Sequence, residues 1–423
     1  MPDLSGKKTW TINGQIVNTI DNLSKMMYIL SMLKRTLARK LISSARKFPI
    51  VSVIGPRQSG KTTLVKMAFP KKPYASLEEP DLREYAINDP RGFLSGYPNG
   101  AILDEVQRVP QLFSYIQTIT DNSNKSGLFI LTGSQHFLLQ ENISQTLAGR
   151  TAILKLLPFS LAELEHTPFS FNTYEDYLFT GFYPRIYDKK MEPRNWYLHY
   201  IQTYVERDLR LIRNINDLGT FQTFVKMCAA RTGQLLNLSS IANDCGITHN
   251  TAKSWISILE ASFIIFLLRP HHKNFNKRLV KMPKLYFYDP GLASSLLGIE
   301  NKKQLASHYL KGNLFETFIV SELIKHRYNQ GLDSIYYFWQ DKTGREIDCL
   351  IEKTNKLIPV EIKSGKTSSK EYFKNLNYWN KLSGIHPNNS YVIYGGDKPQ
   401  KRSTGNLLSW KNIKPLLTRI SAS

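Results

Sequence analysis

Cysteine is scarce in this 423-residue chain: Cys228, Cys245 and Cys349 are the three present, far apart and at no zinc-ligand spacing. That excludes a disulfide scaffold and a cysteine-rich zinc site, and it points to a reducing compartment. Long apolar runs are also missing. The longest early one, "MMYILSML" at 26–33, is too short to span a bilayer, which takes about 20 residues. It follows no strongly basic leader of the signal-peptide kind. The expectation is a cytoplasmic protein with no membrane segment. Acidic side chains are in deficit too, 34 against 56 Lys and Arg, for a net charge of +22. The imbalance is local. Residues 1–50 carry 9 basic and 2 acidic side chains and residues 301–423 carry 20 and 10, whereas residues 51–150 carry 10 and 9. A basic surface attracts polyanions, of which nucleic acid is the commonest in a cytoplasm. A generally basic composition without such a partner is the alternative. What remains, 42% hydrophobic and 21% charged residues, is enough for two or three domains with real cores.

The segment "PIVSVIGPRQSGKTTLVKMAF" sets the first domain. Val51, Val53 and Ile54 read as a buried strand and Thr63 to Met67 as a helix start. Between them Gly55, Pro56, Arg57, Gln58, Ser59, Gly60, Lys61 and Thr62 fit G-x-x-x-x-G-K-[ST]. In that pattern backbone N–H groups wrap a β-phosphate, the lysine reaches the β- and γ-phosphates and the hydroxyl holds Mg²⁺. Thr63 extends the cradle into the helix. Downstream, "GAILDEVQ" reads as a strand ending in Asp104, placed for the Mg²⁺ shell, and Glu105, placed to deprotonate an attacking water. "YASLEEPD" at 74–81 reads as a strand inserted between the two motifs. "GLFILTGSQ" ends in Ser134, either a γ-phosphate contact or a turn residue. Arg150, at the end of "QTLAGR", is a candidate transition-state arginine; a helix-end arginine meeting carbonyls is the other reading. Arg57 is the weaker candidate.

A second pattern lies in "LLNLSSIANDCGITHNTAKSWISILEASFIIFLL". Ser239 and Ser240 open a short helix, Gly246 turns the chain, and Thr248 caps a second helix with Ala252, Trp255, Ile256 and Leu259 inward. Strands at 263–268 and 285–288 then frame a basic excursion holding Arg269, Lys273, Lys277, Arg278, Lys281 and Lys284. This is a winged-helix layout, with Thr248, His249, Asn250 and Lys253 outward. Such modules read DNA or dock proteins, and both readings stand.

Taken in order, "GPRQSGKTTL", "AILDEVQRVP", "ILTGSQHFLL", "SLAELE", "GFYPRIYD", "YVERDLR", "KRLVKMPKLYFYDPGLA", "GNLFETFIVSEL", "GREIDCLI" and "PVEIKSG" resemble the prokaryotic ATP-binding proteins that join an AAA-type core to a C-terminal domain of unknown function 4143. The resemblance covers roughly residues 33–400. It implies ATP binding, a winged-helix middle and a restriction-endonuclease-like C-terminal fold. The first 25 residues fall outside it.

The stretch "GREIDCLIEKTNKLIPVEIKSG" reads as a hairpin. A turn centred on Thr354 and Asn355 sets Asp348 directly opposite Glu361, with Lys363 on the same face. Facing carboxylates about 5 Å apart suit a shared Mg²⁺. Ile347, Cys349, Ile351, Val360 and Ile362 take the opposite face. Upstream, Glu316 lies early on a helix read as amphipathic, and "YYFWQ" reads as a strand ending in Gln340. The order of Glu316, Asp348, Glu361 and Lys363 resembles the PD-(D/E)xK nuclease fold. The other reading is the solvated face of a half-exposed hairpin.

The expected architecture is α/β throughout: a P-loop ATPase core with a parallel sheet, a winged-helix middle domain and a nuclease-like C-terminal domain. The expected divisions are 1–32 (extension), 33–165 (ATPase core), 166–300 (helical and winged-helix region) and 301–423 (nuclease-like domain). The expected cofactors are ATP and Mg²⁺, and the expected partners are DNA and further copies of the chain. The leading function is ATP hydrolysis coupled to a DNA-associated task, with metal-dependent cleavage open. The alternative is a nucleotide-switched regulator or adaptor whose last domain binds without cutting.

Overall fold

A computed structural model describes residues 11–12, 15–16, 33–134, 147–208, 217–271, 279–354 and 356–421. The first domain is built on five parallel strands: β1 (Ile50–Ile54), β2 (Tyr74–Ser76), β3 (Ile102–Asp104), β4 (Phe129–Gly133) and β5 (Thr151–Lys155), in spatial order β2-β3-β4-β1-β5. β1, β3 and β4 are buried along their whole length, as a parallel sheet covered on both faces requires. Alternate residues serve alternate faces. Val51, Val53 and Ile130 pack under helices α1 (Ala38–Ala45) and α2 (Lys61–Ala68). Ile50, Ile54 and Leu131 join an apolar core that continues through the rest of the chain to Ile420. β2 is the expected inserted strand, three residues long, and helices α3 (Pro80–Asn88) and α4 (Pro90–Ser95) follow it.

After α5 (Leu112–Asp121) and α6 (Leu161–Leu164) come three short helices, α7 (Tyr174–Thr180), α8 (Pro184–Asp188) and α9 (Pro193–Tyr200). They are held by aromatic packing: the Tyr183, Trp196 and Tyr200 rings lie 4.8–4.9 Å apart. Asp289, almost fully buried, accepts bonds from Phe182 N, Tyr197 Oη and Leu292 N at 2.6–2.9 Å, tying these helices to α13 (Pro290–Leu296).

The next unit runs α10 (Leu218–Ala230), β6 (Gln234–Leu235), α11 (Leu238–Asp244), α12 (His249–Ala261), β7 (Ile265–Leu268) and β8 (Lys284–Phe287). β8 pairs antiparallel with both β6 and β7. Asn237, rather than Ser239 or Ser240, caps α11, because its side chain accepts the Ser240 N–H. Thr248 caps α12 as expected, accepting the Thr251 N–H at 3.1 Å, and Gly246 turns the chain at φ +65. Ala252, Trp255, Ile256 and Leu259 are buried, and Thr248, His249, Asn250 and Lys253 are exposed.

Of the basic excursion, Lys273, Lys277 and Arg278 lie outside the described residues. Its two ends are not free. Phe338 N donates to Arg269 O, His271 N to Phe338 O and Val280 N to Gln340 O, at 2.8–3.1 Å. The base of the excursion therefore extends the edge of the C-terminal sheet.

That sheet is mixed. β9 (Tyr336–Gln340), β10 (Glu346–Lys353), β11 (Lys356–Lys363), β12 (Tyr391–Tyr394), β13 (Gln400–Arg402) and β14 (Gly405–Ser409) stand in the order β9-β10-β11-β12-β14-β13. Helices α14 (Lys302–Ser307), α15 (Lys311–Asn329), α16 (Lys374–Ser383) and α17 (Lys414–Ser421) complete the domain. The β10–β11 register is the expected one: Cys349 pairs with Val360 and Lys353 with Lys356, and Thr354 turns at φ +45. Two expectations fail. α15 is not amphipathic but buried on nearly every side, from Leu314 to Asn329, because it packs against β11 and β8 as well as helices α7, α13 and α14. Ile347 leaves the alternation: Tyr337 pairs with Leu350 but Trp339 with Ile347, so two residues, 348 and 349, bulge opposite Phe338. Ile347 thus packs with Leu350 and Trp339, while Cys349, Ile351, Val360 and Ile362 face the main core.

Candidate nucleotide site and acidic centre

The loop after β1 turns into α2 at the carboxyl end of the parallel strands, where open α/β sheets bind ligands. A Cβ on Gly55 would stand 2.0 Å from Leu156 O, so only glycine lets the loop pass β5. Lys61 is buried, and its Nζ donates to Gly55 O and Pro56 O at 3.0 and 2.9 Å. Burial lowers its pKa, while Glu105 and Asp104 work to raise it. Thr62 Oγ1 donates to Asp104 Oδ2 at 2.8 Å, Tyr74 Oη donates to the same oxygen at 2.8 Å, and Thr132 Oγ1 binds Oδ1. Glu105 follows at φ +53, a left-handed turn that lifts its carboxylate out of the strand line. Its Oε2 accepts Ser134 Oγ at 2.8 Å and Gln107 Nε2 at 2.5 Å. Ser134 therefore holds Glu105. A cleft of about 900 Å³ opens over the loop, lined by Arg57, Gln58, Gly60, Lys61, Thr62 and Thr63.

The cleft is also lined by Arg35, Arg39 and Arg185, none of which the loop motif reveals. Arg35 is a clamp. It gives Nε to Glu163 Oε1 at 3.1 Å, Nη1 to Ser59 O at 2.7 Å and Nη2 to Leu157 O at 2.6 Å. Arg57 is engaged by Glu78 at 3.3 Å and stacks 5.9 Å from the Tyr204 ring. Arg150 sits elsewhere. It pairs with Asp121 just before β5, at the amino end of the parallel strands. Five residues of strand, about 16 Å, separate that edge from the loop of the same chain. The transition-state role within one chain is thereby corrected: the residue lies on the wrong end of the sheet.

The second cluster forms where β8, α15, β10 and β11 meet. Ligand oxygens of Glu316, Glu346 and Asp348 lie within 4.8 Å of one another. Asp348 accepts Lys363 Nζ at 3.0 Å and Ile362 N at 2.7 Å. Lys363 Nζ also stands 2.5 Å from Glu361 Oε2, so Asp348 and Glu361 converge on one ammonium as the register requires. Glu361 is 1% exposed and neither of its oxygens has a well-angled hydrogen bond. Two residues depart from expectation. Glu346, which the sequence reading passed over, stands in the carboxylate group in place of Glu361. Lys284 is not an exposed wing cation: it is 4% exposed, with Nζ 3.0 Å from Glu316 Oε1 and bonded to Glu346. Tyr286 Oη also binds Glu316 Oε1.

Electrostatics follow from crowding. Glu316 is pushed up to about 7: burial is the main cause, Lys284 opposes it, and Asp348 and Glu346 add to it. Burial, then Asp348, drives Glu361 well above the carboxylate range. Burial works to raise Asp348, but Lys363, Lys284 and the Ile362 N–H together hold it below its usual value. Burial works to neutralise both lysines, and the facing carboxylates overcome it and keep them charged.

Comparison with known proteins identifies the first domain. Residues 47–165 match the AAA domain family and residues 311–413 the domain of unknown function 4143. The chain carries an AAA-type domain followed by a domain of unknown function 4143. Residues 171–303, between them, match a further domain of unknown function, 8612. The chain is 27% identical over 338 residues to an uncharacterized protein of Mycobacterium tuberculosis, covering 79% of this chain and 75% of that one. It is 21% identical over 274 residues to an uncharacterized protein of Haemophilus influenzae, covering 62% and 64%. Among solved structures it is similar to a Walker-type ATPase of Pyrococcus abyssi, at 15% identity and a TM-score of 0.41, over 62% of this chain and 94% of that one. The AAA-type domain makes this an ATP-binding chain of the P-loop ATPase class. Among the described residues no helix is long and apolar enough to cross a membrane.

Arg185 had a signal in the sequence, since it lies in "GFYPRIYD". Glu346 had one too, two residues before Asp348 in "GREIDCLI". Arg35 and Lys284 had none: each acts on residues more than 20 positions away.

Proposed function

We propose that the AAA-type domain hydrolyses ATP and that its nucleotide state acts on a DNA-contacting module. The observation that carries hydrolysis is the 2.8 Å bond between Thr62 Oγ1 and Asp104 with Glu105 at the next position. A hydroxyl and a carboxylate side by side suit the Mg²⁺ of an Mg–ATP complex, which neutralises developing charge on the phosphates. With Mg–ATP bound, Lys61 would exchange its loop carbonyls for phosphate oxygens, Thr62 and Asp104 would hold the ion, and Glu105 would accept the proton of the attacking water. Arg185 and Arg39 line the same cleft, and their guanidinium groups suit phosphate charge.

The order α10-β6-α11-α12-β7-β8 supports a winged-helix reading of residues 218–287. Exposed Thr248, His249, Asn250 and Lys253 at the start of α12 support DNA as its partner. The link to the nucleotide runs through the helical segment Ile201–Asp208, whose Tyr204 ring lies by Arg57. Arg150, at the amino edge of the sheet, meets phosphates only in a head-to-tail assembly of chains. For the C-terminal domain, Glu316, Asp348, Glu361 and Lys363 support a nuclease-like fold, and the unpartnered Glu361 Oε1 suits a divalent ion. The second reading, a nucleotide-switched adaptor that does not cut, is favoured by one observation: Lys284 lies inside the carboxylate group.

The test is calorimetric and kinetic. Lys61→Ala weakens ATP binding strongly, and Glu105→Gln binds ATP but turns it over slowly. Undiminished ATP affinity in Lys61→Ala removes the assignment.

A further inference from the structure

We infer that Lys284 is a built-in counter-cation that competes with a divalent ion for the carboxylates Glu316, Glu346 and Asp348, so that metal loading requires this one side chain of the neighbouring module to withdraw. The inference rests on reading the acidic centre as a divalent-ion site.

Four carboxylates and two ammonium groups meet here, and they divide into two sets. Lys363 serves Asp348 and Glu361. Lys284 serves Glu316 and Glu346. Lys363 comes from β11 of the C-terminal domain itself and is partly exposed. Lys284 comes from β8, the middle strand of the neighbouring sheet, and is enclosed. It reaches the centre because residues two apart on a strand point the same way: Lys284 and Tyr286 both bind Glu316 Oε1. That oxygen is thus engaged twice, and Glu346 once, by groups foreign to the C-terminal domain.

An ammonium enclosed among these carboxylates works against a divalent ion in the same place, because each neutralises the charge that attracts the other. Mg²⁺ takes oxygen ligands at roughly 2.0–2.1 Å in a near-octahedral set, whereas Lys284 Nζ already stands 3.0 Å from Glu316 Oε1. Their mutual repulsion in a buried site is what sets them in competition. The centre still keeps a feature that the lysines leave unmet. Glu361 is buried, and while its Oε2 pairs with Lys363, its Oε1 has no hydrogen-bond partner, an open acceptor that suits a further cation. Lysine is suited to a removable plug, being a point charge on a flexible stem. The strand that carries it is bonded to both β6 and β7, so withdrawal of the ammonium is a movement of the side chain on a fixed strand.

The experiment measures Mn²⁺ binding to the full-length chain without nucleotide, by electron paramagnetic resonance and calorimetry. Asp348→Asn provides the background. Lys284→Met keeps the length of the side chain and removes its charge. The expected result is Mn²⁺ affinity roughly tenfold or more above that of the unsubstituted chain, lost again in Lys284→Met/Asp348→Asn. Equal affinity with and without Lys284, abolished by Asp348→Asn, overturns the competition while leaving a metal site. A folded Lys284→Met chain that binds no more Mn²⁺ than the Asp348→Asn background overturns the metal reading and the inference with it. If Lys284→Met does not fold, Lys284→Gln, which keeps a hydrogen-bond donor toward the carboxylates and removes the charge, replaces it in the same comparisons. Tight Mn²⁺ binding by the unsubstituted chain, lost in Asp348→Asn, overturns the inference without any Lys284 variant.

Discussion

Replacing Arg35 by alanine isolates how the segment before the first strand controls the phosphate loop. Arg35 is buried, with its side chain 8% exposed, and Glu163 is 1% exposed. Removing the guanidinium strands a buried carboxylate and leaves Ser59 O and Leu157 O without their donor. Breaking a buried pair from one side costs about 3–5 kcal/mol. Glu163 keeps two backbone donors, Thr36 N at 2.7 Å and Ser160 N at 2.9 Å, which places the cost at the lower end, about 3 kcal/mol. Urea unfolding followed by tryptophan fluorescence reads this as a lower midpoint at unchanged slope. ATP affinity falls in parallel, because Ser59 belongs to the phosphate loop and Arg35 is what fixes it from outside. A double-mutant cycle with Glu163→Gln apportions the pair term. A midpoint that does not move, or one that falls while ATP affinity is untouched, refutes the clamp.

Ser134→Ala frees the Glu105 carboxylate from its 2.8 Å bond, so kcat falls with ATP affinity little changed; a fall in affinity at constant kcat puts Ser134 on the nucleotide instead. His326 lies between Gln330 and Ser421, and burial, then Arg327, lowers its pKa below the ordinary 6.5. The unfolded chain takes up this proton first, so stability is full above pH 6.5 and drains away as pH falls toward the lower folded value. His326→Gln should flatten that part of the stability–pH curve, and an unchanged curve counts against it. Lys253→Glu with Lys281→Glu, both exposed, should lower DNA affinity and reduce the slope of log affinity against log salt by about one per lost phosphate contact. An unchanged slope points to protein docking by the same module.

The nucleotide site was legible because its chemistry is local. A loop that wraps phosphate needs glycines, a lysine and a hydroxyl within eight positions, and a strand ending in two acids announces itself. The hairpin register was legible for the same reason: a turn at Thr354 fixes every pair behind it, and period-2 alternation says which side chains share a face. The bulge opposite Phe338 was not, since it depends on how β9 meets β10 across the sheet. Arg150 shows the limit of spacing as an argument. Its distance along the chain from Ser134 is compatible with catalysis, but a parallel strand of five residues carries its position to the far edge. Lys284 shows the limit of charge as an argument. In the sequence it is one of six bases without an acid between Arg269 and Lys284. In the fold it is enclosed by carboxylates 32 and 62 positions away. Sequence alone determined which groups each strand and loop presents, because short-range geometry is set by residue type. Only tertiary structure decided which charges meet, because burial strengthens a pairing between segments that are distant along the chain.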